Sequence, residues 1–298
     1  MSTDTSASQD TTFATARAKG SNPWKPFLRV GKEALVLVII GIVFVVPFIF
    51  IVLTAAKTRQ EAALLRFSVP SSFQLVENFR EVLTYGNGRM GRALLNSTLL
   101  TVSSVTLIVL FSSLTAYVLQ RRLDRFSSIV SAVLLAGLII PPAVVPTIFL
   151  LQWLHIYKTL FGLIMVEVAF TVPFATLILR AFVGSIPREI DEAAIIDGAS
   201  PLQLFFSVIF PLLRPAIVTV IVVTSVGIYN DFANPLYFLP GEQNVTAQLP
   251  LYSFTSQFIN QWNLLFADVI VITIIPLIMF LFFQRQIVAG MAAGAVKG

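Results

Sequence analysis

The sequence predicts an all-α membrane protein with six transmembrane helices and a cytoplasmic loop between the fourth and the fifth. The chain is 56% hydrophobic and only 12% charged, whereas a soluble domain carries about 25% charged residues. Its mean hydropathy is +0.86. Its apolar runs are long and continuous, without the alternation of a barrel strand, so they predict helices rather than a barrel.

Six apolar segments are long enough to cross a hydrocarbon core of about 30 Å, the fifth only marginally. They are residues 34–56, 93–119, 127–154, 160–179, 212–230 and 266–283. Prolines such as Pro141 and Pro142 indicate broken or kinked helices, although proline is also simply common in membrane helices. We therefore expect a transmembrane domain over residues 33–285. A disordered cytoplasmic tail is expected over residues 1–32, and a second cytoplasmic tail over residues 286–298.

Lysine and arginine concentrate before the first span, after the second, after the fourth and after the sixth. The positive-inside rule then places both termini in the cytoplasm. The segment 57–92 conflicts with this orientation, because it carries six basic residues and must lie outside. The net charge of +5 is spread beside apolar runs, which favours anionic membrane lipid as a partner and argues against nucleic acid.

Several kinds of site are excluded by residue type. The chain has no cysteine and a single histidine, His155, so disulfides and metal sites built on cysteine or several histidines are excluded, and no metal site is predicted. The spans offer no paired acids and no nucleophile with a base, which argues against an intramembrane enzyme.

The polar segment of about residues 187–211, between the fourth and fifth spans, predicts two short helices joined by a corner. Pro187 suits the first turn of a helix, and acidic residues follow it. Gly198 is placed to end that helix in a left-handed conformation. Ser200 and Gln203 form a capping box for the next helix. Apolar residues at helical spacing then predict a stripe that packs on the membrane domain: Leu202, Phe205, Phe206, Ile209 and Phe210.

This segment resembles the EAA loop of bacterial ABC importer permeases. The family pattern is E-A-A, three residues, G, nine residues and I-x-L-P. Here Glu192-Ala193-Ala194 is followed by Gly198 and, nine residues later, by Val-Ile-Phe-Pro ending at Pro211. Residues 230–236 and 290–298 resemble maltose-type sugar permeases, and the resemblance covers roughly residues 30–298.

The resemblance implies a permease subunit of the prokaryotic inner membrane that imports a disaccharide, oligosaccharide or sugar derivative by alternating access. Its implied partners are a second homologous permease, a dimer of cytoplasmic ATPase subunits and an extracytoplasmic solute-binding protein. The chain has no phosphate-binding loop of its own, so it is expected to bind no cofactor and not to be an enzyme, with ATP and Mg held by the ATPase. The residues implied to contact the ATPase are Glu192, Ala193, Ala194, Asp197, Gly198 and Pro211.

Candidate residues of the transport pathway come from the spans and from the outer mouth. Glu167 is an acid inside an apolar span, which marks a functional candidate, although it also lies close enough to the outer end to snorkel. The polar residues after the fifth span either line the mouth of the pathway or cap helices around Pro235: Tyr229, Asn230, Asp231 and Asn234. By the same resemblance, the outer loop would reach the binding protein through Gly241, Gln243 and Asn244.

The rival class is a secondary transporter or channel that is not coupled to an ATPase. Such a protein needs coupling charges or a selectivity ring, and only Glu167 qualifies inside a predicted span. It would also leave the EAA-like segment unexplained.

Overall fold

The computed structural model describes residues 25–241, 244–250 and 261–295, and for residues 25–32, 85–87 and 285–295 it describes the backbone alone. In these ranges the chain is helical and contains no strand. Of the described residues, those from Lys25 to Ile49 form one compact unit, and those from Phe50 onward form another. The helices are α1 (Lys25–Ala55), α2 (Arg59–Ala63), α3 (Leu75–Arg121), α4 (Arg125–Ile139), α5 (Val144–Trp153), α6 (Leu160–Ser185), α7 (Arg188–Ile196), α8 (Pro201–Leu212), α9 (Arg214–Tyr229), α10 (Ala233–Phe238) and α11 (Trp262–Ala295).

The predicted fold class is confirmed. Four helices, α1, α3, α6 and α11, contain stretches long and apolar enough to cross a membrane. Two further pairs qualify only when taken together, because each of their helices is too short alone. The helices α4 and α5 meet at 119°, and α8 and α9 meet at 74°. Counting each bent pair as one span gives the six predicted spans.

The third predicted span, residues 127–154, is two helices rather than one. Pro142 has no N–H to continue α4, and a proline also disfavours helical geometry at the residue before it, which here is Pro141. Pro146 lies in the first turn of α5, where an N–H would have no intrahelical partner in any case. The helix is therefore interrupted between Ile139 and Val144.

The first and last helices extend beyond the predicted transmembrane domain, residues 33–285. α1 begins at Lys25, so residues 25–32 are helical and not part of a disordered tail; residues 1–24 lie outside the described range. α11 continues to Ala295, so most of the predicted C-terminal tail is helical as well. The stretches of these two helices that are apolar enough to cross a membrane are Glu33–Ala55 and Trp262–Gln284.

The core of the bundle is formed by α3, α6, α9 and α11. One buried cluster joins α3 and α6 to α8 and α9, and includes Ile108, Leu179, Ile209 and Val220. A second cluster joins the start of α3 to the start of α11. We call the end of the bundle that carries α7 and α8 the loop end, and the opposite end the distal end.

The segment between α1 and α3 folds back on itself. Lys57 is buried, and its Nζ donates to the carbonyl of Arg66 at 2.6 Å. The backbone N–H of Ser71 donates to the carboxylate of Glu61 at 3.1 Å, and hydrogen bonding by Ser71 holds the pKa of Glu61 below its ordinary value. At least one of the basic residues that conflict with the positive-inside rule is therefore enclosed in the fold.

A buried polar cluster holds three helices together at the distal end. The side-chain amide of Asn78 in α3 donates to the carbonyls of Ala55 at 2.8 Å and Lys57 at 3.0 Å. Its carbonyl accepts from the amide of Asn263 in α11 at 2.8 Å. Asn78 thus links the end of α1 to the starts of α3 and α11.

We expect Asn78→Ala to lower the free energy of unfolding by about 1–3 kcal/mol, because it leaves buried polar groups unpaired. Thr84→Ala is the control, since the Thr84 hydroxyl is exposed and bonds only within its own helix; its effect should stay within about 0.5 kcal/mol. Thermal unfolding in detergent measures both. Equal stability of the two variants would contradict a structural role for the cluster.

Candidate functional site

The corner predicted between α7 and α8 is present. Gly198 has φ +80°, and its N–H donates to the carbonyl of Ile195 at 3.0 Å. The N–H of Ala199 donates to the carbonyl of Ala194, also at 3.0 Å. These two bonds form a Schellman motif, which satisfies the last carbonyls of α7 and turns the chain. A glycine is favoured here because side chains are strained at this φ.

The capping box at the start of α8 is also present, but the helix after it is not the regular one expected. Ser200 accepts from the N–H of Gln203, and the Gln203 side chain accepts from the N–H of Ser200. Residues Leu204–Ile209 then form a π-helical segment, closed by the N–H of Phe210 donating to the carbonyl of Phe205.

The wider turn changes which side chains are buried in α8. The predicted stripe is correct for Phe205 and Ile209 but wrong for Leu202, which is 67% exposed, and for Phe206 at 47%. Leu204, which the α-helical pattern left out, is buried. A π-turn joins residues i and i+5 by a hydrogen bond and is wider than an α-helical turn, so a stripe predicted with the α-helical period no longer follows one face there.

The exposed surface of the EAA-like segment is partly apolar. Glu192, Ala193 and Asp197 are exposed, and Ala194 and Pro211 are half-buried. Ile195 and Ile196 are 60% and 85% exposed. Large apolar side chains at the surface of a polar helix are typical of an interaction surface.

Asp191 is the residue of this segment whose role the sequence analysis missed. Its carboxylate accepts from Arg121 Nη2 at 2.7 Å and Nε at 3.3 Å, and from the hydroxyl of Tyr117 at 2.7 Å. Arg121 Nη2 also donates to the carbonyl of Ile186. Two side chains near the end of α3 therefore hold α7 in place. The only sequence signal was an acid in the first turn of a helix, a pattern that any N-terminus satisfies.

Three of the candidate pathway residues come together. Glu167 in α6 is 4% exposed, and its Oε1 accepts from the side-chain amide of Asn234 in α10 at 3.1 Å. Glu167 and Asp231 both line a cavity of about 200 Å³. Glu167 therefore does not snorkel to the surface. Asp231 also caps α10, because its Oδ1 accepts from the N–H of Ala233 at 2.8 Å.

The remaining two candidate pathway residues, Tyr229 and Asn230, lie apart from Glu167, Asp231 and Asn234. The amide of Asn230 donates to the carbonyl of Val226 at 3.0 Å and its Oδ1 accepts from Gln248 at 3.3 Å, which fits helix capping. Tyr229 is buried and lines a second, largely apolar cavity of about 710 Å³ between α3, α9 and α11.

Two of the three predicted outer-loop contacts, Gly241 and Asn244, lie at the distal end. Gly241 is exposed with φ +133°, and the amide of exposed Asn244 donates to the carbonyl of Lys158 at 3.2 Å. Gln243 lies outside the described residues. No group of three or more metal-ligating residues occurs within the described ranges.

The chain matches a protein family over most of the bundle. The model of the family described as binding-protein-dependent transport system inner membrane component matches residues 108–292. The chain belongs to this family. The resemblance to ABC importer permeases is thereby confirmed. The protein is a membrane transport permease with several spans.

Relatives of this permease include curated proteins of similar length. It is 31% identical to the diacetylchitobiose uptake system permease protein NgcG of Streptomyces coelicolor, over 88% of this chain and 87% of that protein. It is 30% identical to the melibiose/raffinose/stachyose import permease protein MelC of Bacillus subtilis, over 89% and 95%.

The fold of the permease is also found among solved structures. A chain of a bacterial ABC transporter involved in the import of the acidic polysaccharide alginate superposes with a TM-score of 0.74, at 20% identity, over 89% of this chain and 98% of that one. A second structure, of the alginate transporter in complex with a pentasaccharide-bound periplasmic protein, gives 0.63 at 16% identity. At this identity the likeness concerns the fold alone.

Proposed function

We propose that this permease imports a carbohydrate by alternating access, driven by ATP that a separate subunit hydrolyses. The observation that carries the proposal is the EAA loop, residues 187–211, with its left-handed corner at Gly198 and its exposed isoleucines. Such a surface suits docking of a second protein, and a chain without a phosphate-binding loop needs one to use ATP.

The partners proposed are a second permease of the same family, two ATPase subunits and a solute-binding protein. ATP and Mg belong to the ATPase subunits. In this arrangement the loop end and both termini face the cytoplasm, as the basic residues suggest. The distal end, with Gly241 and Asn244, faces the binding protein, and Gln243 is proposed as a further contact residue. Closure of the ATPases moves the EAA loop and exchanges an inward-open cavity for an outward-open one.

The substrate class follows from the relatives and from the small cavity. The curated relatives are named for uptake of diacetylchitobiose and of melibiose, raffinose and stachyose. A disaccharide, an oligosaccharide or a derivative of these is therefore proposed. The carboxyl groups of Glu167 and Asp231, beside an amide, offer the acceptors that sugar hydroxyls require.

Reconstitution in vesicles tests the proposal. The chain with both kinds of partner and a binding protein loaded with radiolabelled oligosaccharide should take up sugar only when ATP is present. The chain alone should take up none and bind no ATP. Uptake by the chain alone, driven by an ion gradient, would instead establish the secondary transporter.

Within this function, Glu167→Gln is expected to raise the KM for uptake about tenfold. The amide keeps an acceptor for Asn234, but its nitrogen replaces the second carboxyl oxygen and removes one acceptor for a sugar hydroxyl, a hydrogen bond worth about 1 kcal/mol. Glu81→Gln makes the same chemical change at an exposed position of α3 and should leave KM unchanged. A variant with lowered thermal stability and unaltered KM would show that Glu167 only ties α6 to α10.

A further inference from the structure

We infer that the EAA loop delivers the motion of the ATPase to α3 through Asp191, so that Asp191 and Arg121 are positioning residues of the transport cycle. The inference rests on the proposed function, because it presupposes an ATPase that moves the loop. Along the chain, α7 is connected directly to α6 and not to α3. The contact between Asp191 and Arg121, which lie 70 residues apart, joins α7 to α3.

The contact between Arg121 and Asp191 has the geometry of a strong ion pair. Arg121 meets Asp191 with two N–H groups, one on each carboxylate oxygen, at 3.3 and 2.7 Å. Both side chains are largely withdrawn from solvent, with 14% and 11% exposed. Paired donors of this kind fix orientation as well as distance. The same guanidinium holds the carbonyl of Ile186, just before α7 begins, so α7 cannot turn on its N-terminal end without breaking it.

Tyr117 makes a second connection from α3, one helical turn before Arg121. Its hydroxyl donates to Asp191, and its ring lies 5.7 Å from the ring of Phe205, centroid to centroid. Phe205 is a buried residue of the π-helical segment in α8. Both arms of the EAA loop are therefore held by the same face of α3, one through hydrogen bonds and the other through aromatic packing.

α3 then continues without a break to the distal end. The side chain of Ser97 accepts from the N–H of Ala247 at 2.8 Å, and the amide of Asn96 donates to the carbonyl of Val245 at 3.1 Å. These residues belong to the segment beside the proposed binding-protein loop. From Arg121 to Asn96 the helix covers about 38 Å, at 1.5 Å per residue. One rigid element thus connects the ATPase side to the side of the binding protein.

The first test neutralises the pair in the reconstituted complex. Asp191→Asn and Arg121→Gln should each still pull down the ATPase, because the exposed docking residues remain. Sugar transported per ATP hydrolysed should fall about tenfold, within the range of about 5 to 150 typical of coupling between sites. The double variant should be no worse than either single one, since the two act together. Glu189→Gln, which removes an exposed acid of the same helix, should behave as wild type.

The outcomes separate the inference from the proposed function. If the wild-type complex shows no ATP-dependent uptake, the proposed function fails. If the wild type is active and Asp191→Asn transports with an unchanged ratio, the inference alone is overturned. It is overturned equally if Asp191→Asn loses the ATPase in the pull-down, because the residue then only shapes the docking surface.

A distance measurement tests the rigid connection directly. The chain has no cysteine, so Glu189→Cys and Leu99→Cys, both at exposed positions, give two unique sites for spin labels. The label-to-label distance should be single and unchanged between the nucleotide-free and ATP-bound complexes. In the Asp191→Asn background it should broaden on ATP binding. A wild-type distance that shifts with ATP would show that the loop moves independently of α3.

Discussion

Gly198→Val is expected to insert into the membrane normally and to abolish sugar-stimulated ATP hydrolysis by the complex. Gly198 has φ +80°, and a Cβ built there meets nothing within 4 Å. The cost is therefore backbone strain, about 1–2 kcal/mol for an ordinary residue in the left-handed region and more for a β-branched one. The loop can escape this strain by unwinding the Schellman corner, which redirects α7 relative to α8. Pull-down of the ATPase and stimulated hydrolysis measure the result.

Gly198→Asn is the matched variant, because asparagine tolerates the left-handed region much better than valine. It should keep most of the ATPase binding and turnover. Should Gly198→Val retain full binding and full stimulated turnover, the corner would be no more than a connection between spans, and the assignment of the loop to ATPase coupling would be wrong.

Gly162→Ala is expected to lower the free energy of unfolding of the bundle by about 1–3 kcal/mol, the usual cost of overpacking. Gly162 lies in the first turn of α6, and its N–H donates to the hydroxyl oxygen of the N-cap residue Thr159 at 3.0 Å. A Cβ there would collide with the carbonyl oxygen of Ile156, which is backbone and cannot swing away. That carbonyl also accepts from the hydroxyl of Thr159 at 2.6 Å, so displacing it disrupts the cap as well.

Gly91→Ala is the control for this change. Gly91 lies within α3, where a Cβ meets nothing within 4 Å, so alanine should stabilise the helix by about 0.5–1 kcal/mol. Thermal unfolding of the two variants in the same detergent should therefore move in opposite directions. A Gly162→Ala protein as stable as wild type would show that the turn before α6 relaxes without cost.

Features governed by neighbouring residues could be predicted from the sequence. The left-handed corner at Gly198 and the capping box of Ser200 and Gln203 depend on side chains within a few positions of one another, and both are present. The break at Pro142 was indicated for the same reason, because proline acts on its own turn. The angle of 119° between α4 and α5 could not be predicted, because it depends on what each of these two helices packs against.

The contacts that define the site are of another kind. Asp191 meets Arg121 across 70 residues, and Asn234 meets Glu167 across 67. A single sequence gives no pairing rule at such distances, so acids that look alike along the chain take different roles in the fold. The π-helical segment was hidden because Phe205 and Ile209, four apart, fit an α-helix as well.

That π-turn bears on how much the spacing of the motif can vary. A π-turn holds one residue more than an α-helical turn does. Removing one residue from Leu204–Ile209 would therefore convert the segment into an ordinary helix with little rotation of α9, and Val220 and Ile228 would stay buried. Removing a residue from the regular part of α9 would instead rotate everything after it by about 100°. The nine residues between Gly198 and Val208 thus include a length buffer that separates changes in the loop from the span.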